Sequence, residues 1–186
     1  MLFKYVQYYL SVCLVQEINV IWYNIREKQY FFPSLTMRKS TTMDSYFQNY
    51  FCSQWDKYRE LKSKGLRWDV DSQIQRYVLG AAPRLAKPWQ EVDNVFFPIN
   101  VGNYHWYLGM LNLPNWNLII FDSLRGSKHD QRVLHSVNPL VTMIYEVLDS
   151  CGYFTHTPEL ADKKHFKMSL CWVTSPTQSG RQGTLT

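Results

Sequence analysis

The sequence predicts one α+β domain, on three observations. Apolar residues recur at helical spacing from Ile18 to Leu79, turn-bounded β-type runs follow from Val95 to Ser123, and helical spacing returns from Asp130 to Ser150 before a last apolar run. The 186-residue length suits a single domain with a real core, and 46% hydrophobic with 16% aromatic content excludes a disordered chain. No internal repeat, low-complexity tract or linker divides it.

Taken in order, Ile18, Ile21, Trp22 and Ile25 form a short amphipathic stripe that Pro33 closes off. A longer stripe joins Met43, Tyr46, Phe47, Tyr50, Phe51, Trp55, Tyr58 and Leu61, with Thr41 or Thr42 as expected caps and Gly65 as its stop. These aromatic rings are expected in the core rather than around a cofactor. A third helix is expected from Asp69 to Leu79, ending at Gly80, and Gly80 to Pro88 is a turn-rich connector. Three β-runs follow, Val95–Asn100, Tyr104–Leu113 and Trp116–Ser123, expected as an antiparallel group. Asp130 to Ser150 is helical, with Pro139 expected to kink or restart it, and Met168 to Thr174 is one more strand.

A net charge of +5 and a pI near 9.0 suit an acidic protein partner or a nucleic acid, without choosing between them. The basic residues are scattered and form no arginine-rich stripe, so nucleic acid is not the expected partner. Cys13, Cys52, Cys151 and Cys171 stand far apart with no C-x-x-C pair, which suggests neither a zinc site nor a disulfide framework. No metal or cofactor is expected. The apolar stretch Met1 to Val15 lacks a small-residue cleavage site, and no run is long enough to span a membrane. An intracellular protein, nuclear or cytoplasmic, is the expectation.

The chemistry concentrates in Val95 to Leu124. Asn112-Leu113-Pro114-Asn115 reads as a hairpin turn, and a turn centred between Leu113 and Pro114 pairs residues whose numbers sum to 227. His105 then falls opposite Asp122, and a register shift of two leaves them diagonal neighbours still within reach. A carboxylate there holds an imidazole in one tautomer, as a base and its orienter require. Pairing alone leaves a second reading open, in which His105 is merely half-buried on a strand and Asp122-Ser123 is an ordinary turn.

Phe97-Pro98-Ile99-Asn100, His105-Trp106-Tyr107-Leu108 and Ile119-Ile120-Phe121-Asp122-Ser123-Leu124 resemble, in order and spacing, the signature of the ubiquitin-like protease (SUMO protease) family. The resemblance runs from about Glu17 to Gln178, with residues 1–16 matching poorly and 17–186 read as a partial catalytic domain. The wording around Pro88-Trp89 and Pro98-Ile99-Asn100 is most similar to divergent plant members. The resemblance implies a papain-like cysteine protease fold and a monomeric thiol peptidase without a cofactor. It implies cleavage of SUMO or a related ubiquitin-like modifier, or its conjugates, after the Gly-Gly tail. By the same resemblance His105 is the general base, Asp122 its orienter and Trp106 a wall of the channel for that tail. Pro176-Thr177-Gln178 resembles the family's Pro-x-Gln turn, so Gln178 would supply an oxyanion-hole amide.

Two departures qualify the likeness. Family members place an Asp-Cys-Gly shortly after that glutamine, whereas this sequence continues Gln178-Ser179-Gly180-Arg181-Gln182-Gly183-Thr184-Leu185-Thr186. No other cysteine is expected to substitute. Ser150-Cys151-Gly152 sits at a helix C-terminus, whose partial negative charge disfavours a thiolate. Cys171 reads as strand core, Cys13 and Cys52 belong to the helical part, and neither Ser179 nor Thr184 replaces the thiol. The expectation is a truncated protease, inactive as it stands, with a non-catalytic modifier-binding module as the alternative. The second departure is Cys13-Leu14-Val15-Gln16-Glu17, where the family carries a tryptophan that covers the Gly-Gly tail.

Overall fold

The computed structural model describes residues 15–35, 39–102, 105–122, 130–163 and 166–172. The expectations placed on Cys13, Ser123, Leu124, Val173, Thr174, Gln178, Ser179 and Thr184 lie outside these residues.

The first helix, α1 (Val15–Phe31), precedes a three-residue strand, β1 (Ser40–Thr42). Helices α2 (Tyr46–Ser63) and α3 (Ser72–Val78) follow. Strands β2 (Asn94–Val101), β3 (His105–Asn112) and β4 (Asn117–Asp122) come next. Then come α4 (Asp130–Ser150), the single turn α5 (Tyr153–His156) and β5 (Lys167–Trp172). The strands make one sheet in chain order, β1-β2-β3-β4-β5, giving an α+β fold.

The expected antiparallel group is the centre of the sheet, β2-β3-β4. Its two flanks are parallel, β1 to β2 and β4 to β5, so the sheet is mixed. Parallel neighbours need a crossover, and the helices supply it: α2 and α3 carry the chain from β1 to β2, and α4 and α5 carry it from β4 to β5.

Thr41 and Thr42 are strand residues, which corrects the reading of them as helix caps. Their hydroxyls are used elsewhere. The Lys87 amide donates to Thr41 Oγ1 at 3.0 Å, and Arg26 Nη1 donates to Thr42 Oγ1 at 3.2 Å. Gln29 Nε2 likewise donates to Ser40 Oγ at 3.0 Å. These bonds let a polar Ser-Thr-Thr strand lie fully buried. Arg26 itself is buried, and desolvation lowers its pKa to about 10 against the opposing pull of Asp44.

Helix α2 starts at Tyr46 and stops where expected. Gly65 takes φ +68, its amide donates to the Lys62 carbonyl, and the Leu66 amide reaches back to the Leu61 carbonyl. Helix α3 begins later than expected because Asp71 caps it, accepting from the Gln73 amide at 2.7 Å. It ends on the same device, with Gly80 at φ +72. Helix α4 runs through Pro139 without restarting. Beside the rung lost there, the Ser136 carbonyl accepts from Gln48 Nε2 at 3.0 Å.

Helices cover both sheet faces, which is why β2 is buried almost along its whole length. On one face Val95, Phe97, Ile99, Tyr107, Leu111, Leu118 and Ile120 pack into the main core with α2, α3 and α4. Of the stripe expected in the core, Met43 just before α2 and Phe47, Phe51 and Tyr58 on it are buried, Tyr50, Trp55 and Leu61 pack half-buried against the core, and Tyr46 turns outward. On the other face Phe96, Trp106 and Leu108 pack against Ile18 and Trp22 of α1.

Candidate active site

The hairpin β3–β4 holds the two residues with chemistry. Its register pairs Leu108 with Phe121 and Met110 with Ile119, so paired numbers sum to 229 rather than 227. The turn centre lies one residue later than the sequence suggests. Extending the register one rung sets Asp122 across from Tyr107, and His105, two residues earlier on β3, becomes its diagonal neighbour. An imidazole and a carboxylate can span that diagonal. They do: His105 Nε2 lies 2.8 Å from Asp122 Oδ1.

Strand periodicity explains why the two side chains share a face. Residues 105, 107 and 111 of β3 alternate with 106 and 108, and residues 118, 120 and 122 of β4 form its buried row. Both partners are almost wholly buried, His105 at 4% exposed and Asp122 at 1%. Burial removes competing water, so a single well-aligned bond between them counts for more than it would at the surface. With Nε2–H donating to the carboxylate, the lone pair of the neutral ring is placed on Nδ1, which makes Nδ1 the basic nitrogen. The His105 ring also meets the Tyr107 ring edge-on, with centroids 4.4 Å apart and planes at 83°. Sequence reasoning missed this contact, although the signal was available in the two-residue spacing on one strand face.

Trp106, between these two residues, faces the opposite side of β3. It is buried in the smaller apolar cluster with Trp22 and Ile18 of α1. Gln178 lies outside the described residues, so its position relative to His105 is not part of this geometry.

Three cysteines, Cys52, Cys151 and Cys171, fall among the described residues, and all three are free thiols. Cys151 follows the last residue of α4, and burial pushes its thiol up, against the smaller opposing effect of the Ser150 hydroxyl. Cys52 Sγ lies 3.7 Å from the Ser136 carbonyl, and desolvation raises this thiol too. Both shifts run against thiolate formation. Cys171 is half-buried on β5, paired in register with Phe121. Among the described residues no group of three or more His, Cys, Asp and Glu side chains could hold a metal ion, and no helix is long and apolar enough to cross a membrane.

A family model, the Ulp1 protease family C-terminal catalytic domain, matches residues 17–172. Among solved structures, SUMO protease Ulp1 with its catalytic cysteine oxidised to a sulfenic acid is similar at a TM-score of 0.41 and 16% identity, over 84% of this chain and 55% of that one. The C-terminal Ulp1 protease domain in complex with Smt3, the yeast orthologue of SUMO, is similar at a TM-score of 0.39 and 15% identity, over 91% and 54%. The Chaetomium thermophilum Ulp1-like SUMO protease catalytic domain is similar at a TM-score of 0.37 and 17% identity, over 70% and 44%. The chain thus spans roughly half the length of these solved chains. No curated protein matches it.

Proposed function

Because the chain belongs to the Ulp1 protease family, a family of cysteine proteases, through its C-terminal catalytic domain, we propose that it carries the base and orienter of a thiol protease site for SUMO or a related ubiquitin-like modifier. The one observation that carries this reading is the buried 2.8 Å bond between His105 and Asp122, inside the matched span. In the proposed mechanism Asp122 fixes the imidazole with Nε2–H toward itself, and Nδ1 takes the proton of a cysteine thiol. The resulting thiolate attacks the carbonyl that ends the modifier's Gly-Gly tail. Gln178 donates its amide to the oxyanion that forms, and the family likeness gives Trp106, on the face of β3 opposite His105, a place in the wall of the channel that admits the tail. Whether the bond cut belongs to a precursor or to a conjugate, the same chemistry applies. The wording around Pro88-Trp89 and Pro98-Ile99-Asn100 supports a place among the divergent plant members.

The nucleophile is the part these 186 residues do not supply. No Asp-Cys-Gly follows Gln178, and the described cysteines sit in positions or environments that discourage a thiolate. On this reading the polypeptide of these residues binds the modifier without hydrolysing it.

The test uses the purified 186-residue chain. With a fluorogenic SUMO substrate no release above the buffer blank is expected, while immobilised SUMO retains the chain. Turnover would place a working nucleophile within these residues and overturn the proposed division of roles. Failure to be retained at any salt concentration would remove the modifier-binding part. Retention by nucleic acid instead, falling steeply with salt, would favour a basic binder.

A further inference from the structure

We propose that Tyr107 is the positioning residue that orients His105, holding the imidazole in the leaning conformation that reaches Asp122. The inference rests on the base-and-orienter reading of the pair and adds a third member to it.

The register supplies the reason. Continued by one rung beyond Leu108 and Phe121, the β3–β4 register sets Asp122 across from Tyr107, so the hydrogen bond to His105 is diagonal. A histidine that stood straight out from its strand would not point at Asp122, whose rung lies two residues further along β3. It has to lean along β3, toward Tyr107, to bring Nε2 within 2.8 Å of the carboxylate. Leaning brings its ring against the Tyr107 ring at 4.4 Å and 83°, an edge-to-face arrangement that aromatic pairs favour. Tyr107 can serve as a fixed stop because it is 1% exposed and belongs to the main core.

Two constraints then define the ring. The carboxylate fixes where Nε2 goes, and the tyrosine face or edge fixes the plane about that bond. Together they fix the direction of Nδ1, which one hydrogen bond alone would leave free to swing.

The test follows the imidazole rather than turnover. In the ¹⁵N-histidine-labelled full chain, with His105 assigned among the five histidines by a His105→Gln variant, long-range nitrogen–proton correlations report the tautomer at a pH where the rings are neutral. The wild-type protein is expected to show His105 protonated on Nε2. Tyr107→Phe keeps the ring and should keep that spectrum. Tyr107→Ala and Tyr107→Leu should reduce the tautomer ratio by about three- to tenfold, the size expected for loss of one aromatic pair. Tyr107→Leu retains apolar bulk and carries the test if the alanine variant does not fold. An unchanged ratio in the leucine variant, or a phenylalanine variant that loses as much as leucine, would overturn the positioning role. A wild-type spectrum without the Nε2-protonated form would instead strike the base-and-orienter reading itself, so the two failures are distinguishable.

Discussion

Replacing Phe47 with alanine is expected to lower unfolding free energy by about 3–5 kcal/mol, the range for removing a fully buried phenylalanine. Phe47 is completely buried on α2 and touches four rings. Its centroid lies 5.3 Å from Phe51, 5.3 Å from Tyr77, 5.8 Å from Trp89 and 5.3 Å from Phe97. Those partners come from α2 itself, α3, the turn before β2, and β2, so this one ring joins the helical layer to the sheet. Losing it removes contact area and several edge-to-face pairings, and leaves a cavity that the rigid neighbours cannot close. Small domains have about 5–15 kcal/mol in total, so much of the stability goes with it. Urea unfolding measures the effect as a fall in midpoint at constant slope. Phe47→Leu keeps most of the volume and should cost under about 1.5 kcal/mol. An alanine variant losing less than about 1 kcal/mol would mean that the two layers are held together elsewhere.

Gly80→Ala comes next, at about 2–5 kcal/mol, by adding an αL penalty to a steric one. Gly80 has φ +72, which L residues avoid, and a Cβ there would stand 2.5 Å from the Pro88 nitrogen and 2.8 Å from the Lys87 carbonyl carbon. Those atoms are backbone and cannot swing aside. The 80–88 connector they belong to is anchored at its middle and near its far end: Arg26 Nε donates to the Arg84 carbonyl at 2.8 Å, and the Lys87 amide donates to Thr41 Oγ1 at 3.0 Å. Gly65 provides the internal control. It has φ +68, and a Cβ added there would meet nothing within 4 Å, so Gly65→Ala carries only the conformational cost of about 1–2 kcal/mol. Denaturation of the two variants side by side separates strain from clash. Equal losses would show that the connector yields to the added methyl group.

The central hairpin was legible because its information is local. Alternating apolar residues and a turn rich in asparagine and proline fix two strands, and index arithmetic brings His105 near Asp122 whichever of the two registers holds. The one-residue offset was not legible, and its cause is tertiary. Trp116 takes φ +54, a conformation that bulky residues rarely adopt, and this extends the turn to Leu113–Trp116. Its ring is held there by stacking on Phe166 at 4.2 Å and by Phe154, residues that come from beyond α4. The Asn115 amide, donating to Asn112 Oδ1 at 2.9 Å, completes the turn.

Strand β1 was hidden for a similar reason. Ser40, Thr41 and Thr42 have no apolar alternation to announce a strand, and hydroxyl residues just before an aromatic stripe look like helix caps. Their pairing partner, β2, lies far along the chain, beyond two helices, and the donors that satisfy them sit on α1 and the connector. The Tyr107 contact is intermediate. Its face follows from strand periodicity, but its importance emerges only once the register makes the His105–Asp122 bond diagonal.

The most direct measurement is a double-mutant cycle on His105 and Asp122, read as unfolding free energies of the wild type, His105→Ala, Asp122→Ala and the double variant. If the imidazole and the carboxylate form one buried, charge-assisted unit, the coupling energy should be about 1.5–3 kcal/mol, with the double variant costing far less than the sum of the singles. Losses that add to within about 0.5 kcal/mol would mean the two side chains do not act together, and the protease reading would lose its base.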